Sequence, residues 1–363
     1  MARRQVTLIE VAQNAGTSLA TASRVLNGSS RRVSDALRER VVESARALGY
    51  IADASAQALA RSSSPVVGLI VHDIADPYFS SIAAGVIRVA EERQLVVVLG
   101  TTGRDADREL ELVSTLRSHR ARAIVLAGSR STDTARTRLL AEELARFTER
   151  GGRAVCISQA RLPADTVVPA NRSGARQLAR ALAGLGHTRF AVLGGPRELL
   201  TARDRVSGFR AGLSEAGISL QAADVLHGEF TRDGGYEAAQ ELLRRRSDVT
   251  CLFAVNDVMA TGAMAALRDA GLTVPVDMSV AGFDNIPTLR DLTPGLSTVA
   301  LPLERMGEVA AELAFDEDAD ASSEAGTDGE ADETNGEEEP GRHRTVRIAA
   351  EVVLRESTAA PAR

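Results

Sequence analysis

Short apolar runs alternate with longer segments of helical periodicity along most of this 363-residue chain. A first series of runs lies at residues 66–71, 96–99, 123–127 and 154–157, and a second at 190–193, 249–255 and 278–281. Because the runs are largely continuous rather than alternating with polar residues, they indicate strands buried on both faces of a parallel sheet. The sequence therefore predicts two doubly wound α/β units, which can enclose a small molecule between the carboxyl ends of their strands.

The first 64 residues follow a different, all-helical pattern. Thr7 can cap a helix with apolar residues at positions 8, 11, 12 and 15, and Gly16 ends it. Thr17 or Ser18 can cap a second short helix, and Ser34 a third with apolar residues at 37, 41, 45 and 48. Two short helices joined through a glycine have the spacing of a helix-turn-helix, whose second helix fits the DNA major groove. An ordinary helical bundle is the alternative interpretation.

Charge is distributed unevenly along the chain, whose formal net charge is −6. The first 64 residues hold nine Arg against five acidic residues, whereas residues 316–340 hold twelve acidic residues and no basic one. A segment this poor in apolar side chains is expected to be a disordered, solvated insertion, because strand-like sequence returns at residues 346–354. Electrostatic competition with DNA for the basic N-terminal region is the alternative role for it.

The composition and motifs exclude several functional classes. No run approaches the roughly 20 apolar residues that span a bilayer, and the N-terminus lacks a secretory signal, so we expect a cytoplasmic protein without membrane contact. Cys156 and Cys251 lie inside apolar runs and are expected to be reduced core thiols. The chain has no dinucleotide-binding glycine motif, phosphate loop, nucleophile elbow or metal-like histidine spacing. We therefore expect no enzyme activity, no catalytic or metal site and no cofactor.

The N-terminal motifs resemble the LacI-type repressor family. They are TLIEVA at residues 7–12 and ATASRVLNG at residues 20–28, and the similarity continues through the rest of the chain except the acidic insertion. The resemblance implies a small all-α helix-turn-helix headpiece, a hinge helix that orders on operator DNA, and a periplasmic-binding-protein-like effector domain of two subdomains. It also implies a homodimeric repressor that binds a palindromic double-stranded operator. The repressor would respond to a small-molecule effector, for which a carbohydrate is the first candidate.

By position in the family, the residues expected to contact DNA are Thr7, Ser18, Leu19, Ala20, Thr21, Ser23, Arg24, Asn27, Ala56 and Leu59. Leu19, Ala20 and Arg24 would face base edges, and because the first two are apolar, hydrogen-bonded readout depends largely on Arg24. Leu59 matches the hinge leucine that is wedged into the minor groove. Asp53 stands where the family has Asn, and its carboxylate would be repelled by a phosphate.

The residues expected to contact the effector are Asp76, Tyr78, Phe79, Gln159, Arg205, Asn256 and Asp284. Most follow a predicted strand, and together they offer hydrogen-bonding groups beside aromatic rings. The chain departs from the family at Ala170 and at Ser158, where a carboxylate is usual, and it contains no Trp. Sugar phosphates, purines and a protein co-effector therefore stay open as alternatives to a neutral sugar.

The expected organisation is a headpiece at 1–52, a hinge at 53–64, and an acidic insertion at 316–340. The N-subdomain would comprise 65–163 and 297–315, and the C-subdomain 164–296 and 345–358. A solute-binding protein for transport and an α/β enzyme fused to a DNA-binding domain are the competing interpretations. The headpiece motifs and the absent signal and catalytic motifs favour the regulator.

Overall fold

The computed structural model describes residues 6–27, 33–50, 64–245, 248–316 and 343–361. The chain divides into two compact units, Met1–Pro65 and Val66–Arg363. The expectations for Ala56, Leu59, the rest of the hinge and nearly all of the acidic insertion lie outside the described residues.

The N-terminal unit consists of helices α1 (Leu8–Asn14), α2 (Leu19–Asn27) and α3 (Asp35–Leu48). Thr7 caps α1 as expected, because its hydroxyl accepts from Glu10 N while its own N–H donates to Glu10 Oε2 at 2.7 Å. Gly16 adopts a left-handed conformation with φ of 61°, which permits the tight turn into α2. Ser34 is the N-cap residue of α3, as expected, although its side chain makes no capping hydrogen bond within the described part of this unit.

All three helices contribute to one small apolar core. Its buried members are Val11, Ala12, Ala15, Ala22, Val25, Val41 and Ala45. The apolar positions proposed for α1, and positions 41, 45 and 48 of α3, lie in or against this core, which confirms the periodicity there, whereas Leu37 is half-buried but does not belong to the core.

The second unit contains twelve strands in the described part of the chain. They are β1 (Val66–Val71), β2 (Val96–Thr101), β3 (Ala123–Ala127), β4 (Arg153–Ile157), β5 (Asp165–Pro169), β6 (Phe190–Leu193), β7 (Val225–Leu226), β8 (Cys251–Ala254), β9 (Ser279–Ala281), β10 (Thr298–Ala300), β11 (Thr345–Ile348) and β12 (Glu351–Val353). The first sheet has the order β11-β5-β4-β3-β1-β2 and the second β7-β6-β8-β9, both parallel. Strands β10 and β12 form a separate antiparallel pair.

Helices cover both sheets, as the continuous apolar runs predict, but the expectation of burial on both faces is wrong for the run at 96–99, because β2 lies exposed at the edge of its sheet. They are α4 (Pro77–Glu92), α5 (Ala106–Ser118), α6 (Thr134–Thr148), α7 (Asn171–Gly184), α8 (Leu200–Glu215), α9 (Arg232–Arg244), α10 (Asp257–Asp269) and α11 (Leu303–Phe315), with 3-10 turns at Ala222–Asp224 and Pro287–Asp291. None of the described helices is long and apolar enough to cross a membrane. Cys156 and Cys251 are buried free thiols, which confirms the expectation for them.

The two sheets define two subdomains, whose boundaries differ from the expected ones. Strand β5 pairs with β4, and β11 pairs with β5 through the register Thr345 with Thr166, so both strands belong to the first sheet and not to the second subdomain. Both strands are short and carry polar residues, so their own sequences do not indicate which sheet they join. The chain crosses between subdomains after β5, between β10 and α11, and between β11 and β12.

Glycines allow paired helices to approach at backbone distance. A Cβ on Gly85 of α4 would lie 2.0 Å from the carbonyl oxygen of Glu304 in α11. A Cβ on Gly208 of α8 would lie 2.1 Å from the carbonyl oxygen of Arg172 in α7. The second approach fixes α7 and α8, which carry Asn171 and Arg205, in close register.

Candidate functional site

Helix α2 exposes both apolar and polar side chains on its outer face. Leu19, Ala20 and Arg24 are exposed, whereas Ala22 and Val25 are buried in the helical core. Leu19 is 49% exposed, so its apolar side chain is accessible to a binding partner. The exposed set therefore includes the three positions expected to face base edges.

Ser18, rather than Thr17, organises the start of α2. Thr21 N donates to Ser18 Oγ at 3.2 Å, and the Ser18 and Thr21 hydroxyls lie 2.9 Å apart. Thr7 begins α1, Ser23 is half-buried in α2, and Asn27 is the last residue of α2. DNA contact by these side chains stays a prediction.

A cleft lies between the two subdomains, at the carboxyl ends of strands from both sheets. Its empty space is ≈ 430 Å³, partly open to solvent. The lining residues are His72, Asp76, Tyr78, Phe79, Arg104, Gly128, Ser129, Leu199, Thr201, Arg205, Phe230, Asn256 and Asp284. The cleft thus brings together all of the expected effector residues except Gln159.

Arg205 is the most enclosed charged group of the cleft, with only 2% of its surface exposed. Its Nε donates to Asn171 Oδ1 at 2.9 Å, its Nη1 to the carbonyl oxygen of Val255 at 2.6 Å, and its Nη2 to Asp284 Oδ1 at 2.7 Å. The guanidinium also lies 3.9 Å from the ring centroid of Phe283. These contacts fix the planar group and leave the second hydrogens of Nη1 and Nη2 as further donors.

Asp284 lies in a strained turn after β9. Its φ of 115° and the φ of 59° at Asn285 are left-handed conformations that non-glycine residues rarely adopt. The fully buried Asp257 holds this turn, because its Oδ2 accepts from Ile286 N at 3.0 Å and its Oδ1 from Thr298 Oγ1 at 2.7 Å. Asp257 therefore positions Asp284, a role that the sequence analysis did not assign.

Burial perturbs the carboxylic acids of the cleft. It raises the pKa of Asp284 to about 7, with the Arg205 charge opposing the shift and the Asp257 charge adding to it. Burial also raises the pKa of Asp257 to about 6 and lifts the pKa of Asp76 above its usual value. Perturbed acids clustered in a cleft are typical of a functional site.

Aromatic rings line the cleft from both subdomains. Tyr78 and Phe79 pack edge to face with centroids 5.0 Å apart at the start of α4, where Asp76 Oδ1 accepts from Tyr78 N at 3.0 Å. Phe230 follows β7 in the second subdomain, and the Arg104 guanidinium lies 5.8 Å from its ring centroid. Aromatic faces and fixed polar groups converge here, as they do in sites for small polar ligands.

Asn256 is the N-cap residue of α10. Its Oδ1 accepts from Met259 N at 2.9 Å, so it caps the helix while lining the cleft. The cap uses the amide oxygen and leaves the amide NH₂ group outside that hydrogen bond.

Gln159 bridges the subdomains beside the cleft instead of lining it. Its Oε1 accepts from Arg130 N at 3.1 Å, and its Nε2 donates to Thr201 Oγ1 at 3.0 Å and to Asp204 Oδ2 at 3.3 Å. The expectation that its side chain faces the effector is not met in this structure, because the amide is directed to α8.

Seven lining residues were not named from the sequence: His72, Arg104, Gly128, Ser129, Leu199, Thr201 and Phe230. All of them follow β1, β2, β3, β6 or β7. The rule that parallel sheets bind ligands at the carboxyl ends of their strands could have identified this set, if applied to every strand.

Comparison with known proteins agrees with this architecture. Residues 7–53 match the family of bacterial regulatory proteins of the lacI type, and residues 179–358 match the periplasmic binding protein-like domain. Similar proteins include the HTH-type transcriptional regulator GalS of Salmonella typhimurium, 35% identical over 85% of this chain and 89% of GalS. Another is the HTH-type transcriptional regulator GalR of Escherichia coli, 34% identical over 85% of this chain and 88% of GalR.

Solved structures with this fold include a transcriptional regulator CelR–cellobiose complex, 28% identical, with a TM-score of 0.67 over 98% of this chain and 100% of CelR. A lac repressor dimer bound to operator and the anti-inducer ONPF has a TM-score of 0.79 over 98% of this chain and 100% of the repressor chain, at 23% sequence identity. The chain therefore belongs to the LacI family and is a DNA-binding transcriptional regulator.

Proposed function

We propose that this regulator is a repressor that binds a palindromic operator as a homodimer and is controlled by a neutral carbohydrate in the cleft. The observation that carries the effector proposal is the buried Arg205, held by Asn171 and Asp284 with donors directed at a cleft between aromatic rings. In this proposal the protein binds its effector and does not convert it chemically.

The balance of charge and surface favours a polyhydroxylated ligand. Two guanidiniums, Arg104 and Arg205, line the cleft together with two carboxylic acids, Asp76 and Asp284, so the cleft offers both hydrogen-bond donors and acceptors. Tyr78 and neighbouring rings supply faces for the C–H surfaces of a sugar. The CelR relative crystallised with cellobiose supports this ligand class. A phosphate would face the two acids, which disfavours sugar phosphates.

The outer face of α2 supports DNA reading in the major groove. Arg24 supplies bidentate donors for guanine, while Leu19 and Ala20 suit thymine methyl groups. One such helix reads a single half-site, and a two-fold symmetric pair of chains reads a palindrome.

Strand β2 supports the homodimer. It is the edge strand of the first sheet, yet Val96, Val98 and Leu99 are exposed by 58, 45 and 41%, and Ile87 of α4 is exposed by 40%. An apolar edge strand on a parallel sheet is normally covered. A second copy of the chain, which the palindrome already requires, is the occupant we assign.

Contacts across the cleft supply the coupling. Thr132 N donates to the carbonyl oxygen of Glu198 at 2.8 Å, and Leu200 N to that of Arg130 at 2.9 Å. A ligand that binds both subdomains changes the geometry at which these loops meet. It can shift the regulator between two states only if it binds them with different affinities.

Selection from a random duplex library with the full-length protein tests the DNA proposal, and we expect pseudo-palindromic sequences to be enriched. Fluorescence polarisation with the selected duplex, with and without neutral mono- and disaccharides, then tests the effector proposal. A saccharide that changes the operator Kd supports it. Operator binding that responds to no saccharide but to a sugar phosphate or purine contradicts the ligand class alone.

A further inference from the structure

A second cavity adjoins the effector cleft within the first subdomain. It lies between the starts of α5 and α6, and its empty space of ≈ 490 Å³, like that of the cleft, includes volume that is open to solvent. The lining residues are His72, Thr102, Arg104, Asp105, Ala106, Glu109, Ser129, Arg130, Ser131, Arg136, Thr137, Leu140 and Leu199. The described lining contains hydroxyl, guanidinium and carboxyl groups but no Phe or Tyr ring.

The two cavities are contiguous. His72, Arg104, Ser129 and Leu199 line both of them and form the boundary between them. Arg104 is half-buried at this boundary in a left-handed backbone conformation, with φ of 66°, directly after β2. Its Nη2 donates to the carbonyl oxygen of Phe230 at 3.4 Å, and the other N–H groups of the guanidinium can donate to a ligand that extends from one cavity into the other.

Charges in the second cavity are already compensated. Glu109 accepts from Arg130 Nη1 at 2.9 Å and Nη2 at 2.7 Å, and Arg136 forms an ion pair with Asp107. Asp105 caps α5 by accepting from the N–H groups of its first turn. An anionic ligand would meet these carboxylates and a capped helix, so a neutral group with hydroxyls is favoured over a phosphate.

Two buried polar atoms at this cavity have no hydrogen-bond partner among the described residues: His72 Nε2 and Arg130 Nε. Both side chains are more than nine-tenths buried. Thr102 Oγ1 accepts from Arg104 N at 3.1 Å and lies 2.9 Å from His72 Nδ1. If Thr102 donates its hydroxyl hydrogen to His72 Nδ1, then His72 Nε2 carries the imidazole hydrogen. His72 Nε2 is then a donor for a ligand hydroxyl.

We infer that the second cavity is a subsite for a second sugar ring, so that the effector is a disaccharide and not a monosaccharide. This inference depends on the proposed carbohydrate function. The aromatic-lined cleft takes one ring, and the adjoining polar cavity takes the other through His72, Arg104 and the hydroxyls of Ser131 and Thr137.

Isothermal titration calorimetry of the full-length protein with matched sugar pairs tests the inference. The pairs are glucose with cellobiose and galactose with lactose. For at least one pair, we expect the disaccharide Kd to be about tenfold lower than that of its monosaccharide. Thr137→Phe fills only the second cavity and should raise the disaccharide Kd by about tenfold or more while leaving the monosaccharide Kd unchanged.

Thr148→Phe is the matched control, because Thr148 lies at the other end of α6 and, like Thr137, donates its hydroxyl to a backbone carbonyl. Ser131→Ala provides a second, smaller change should the phenylalanine disturb folding, and it should selectively weaken disaccharide binding because it removes one of the hydroxyls assigned to the second ring. Equal wild-type affinities within both pairs, or equal losses for both sugars in the variants, overturn the inference. Binding of no saccharide overturns the carbohydrate proposal as well.

Discussion

Arg205 Nη2 lies 2.7 Å from Asp284 Oδ1, and both side chains are almost completely buried between the two subdomains. Asp284 lies in a left-handed turn that Asp257 holds in place. Arg205 lies on α8, which packs against α7 at backbone distance. Breaking such a pair leaves an unpaired buried charge, which costs more than the pair contributes.

Arg205→Ala should abolish the effector response while preserving operator binding, because Arg205 lies in the effector cleft and contributes no group to α2. We also expect it to lower the free energy of unfolding by roughly 3–5 kcal/mol, since Asp284 loses its partner. Fluorescence polarisation with operator DNA and urea unfolding measure the two effects. Arg203→Ala, at an exposed position of the same helix, is the control and should change neither. A normal effector response in Arg205→Ala would place the ligand elsewhere.

His72 should make the protein less stable at acid pH. Burial lowers its pKa to about 4, with the Glu109 charge opposing the shift and the Arg130 charge adding to it. The unfolded chain takes up a proton near pH 6.5 and the folded chain only near 4, so stability falls as pH decreases between these values. The wild-type free energy of unfolding should therefore fall relative to that of His72→Gln by up to about 3 kcal/mol from pH 7 to pH 4.

Urea unfolding at a series of pH values checks this slope. Comparison with the variant removes the contributions of Asp257 and Asp284, whose raised pKa values act in the opposite direction. His119→Gln, at an exposed histidine, should run parallel to the wild type. Parallel curves for His72→Gln as well would show that His72 does not stay neutral in the fold.

Arg24→Ala should weaken operator binding by about 1–3 kcal/mol and relax the base preference at one position of each half-site. Of the three exposed residues that we propose to face base edges, Arg24 is the one whose side chain can donate to guanine. Arg38→Ala removes an exposed charge from α3 in the same unit. Its effect should be similar on operator and unrelated DNA. The ratio of the two Kd values, measured at one salt concentration, separates these cases. An unchanged ratio in Arg24→Ala would exclude it from base reading.

The sequence predicts the fold well where local and long-range requirements agree. Strands β1, β3 and β4 are continuous apolar runs because they are covered on both faces, and this is visible without a structure, whereas the equally apolar run of β2 lies exposed at the sheet edge. Strand β11 reads Thr-Val-Arg-Ile at the edge of a sheet, and nothing local indicates which sheet it joins. Its partner β5 lies about 180 residues earlier in the chain, so the assignment depends on tertiary pairing.

The candidate site likewise divides into residues that local sequence identifies and residues whose roles depend on tertiary contacts. Asp76, Arg205 and Asp284 were identified because they lie at motif positions after strands or on a helix facing the cleft. Gln159 also follows a strand, but its amide finds partners in α8, a contact that depends on how the two subdomains meet. Asp257 was missed for a related reason, since it touches the turn after β9 and the strand β10, which are distant in sequence.

Val98→Asp should convert the dimer to monomers, because Val98 is exposed at the centre of the apolar edge strand β2 that we assign to a second copy. A buried, unpaired carboxylate in such an interface should raise the dimer dissociation constant by at least about tenfold. Sedimentation equilibrium measures it, and operator affinity should fall with it because two half-sites need two linked chains. Val276→Asp, at a valine that is 67% exposed in the second subdomain, is the matched control and should remain dimeric. A dimer of wild-type strength in Val98→Asp would place the interface on another surface.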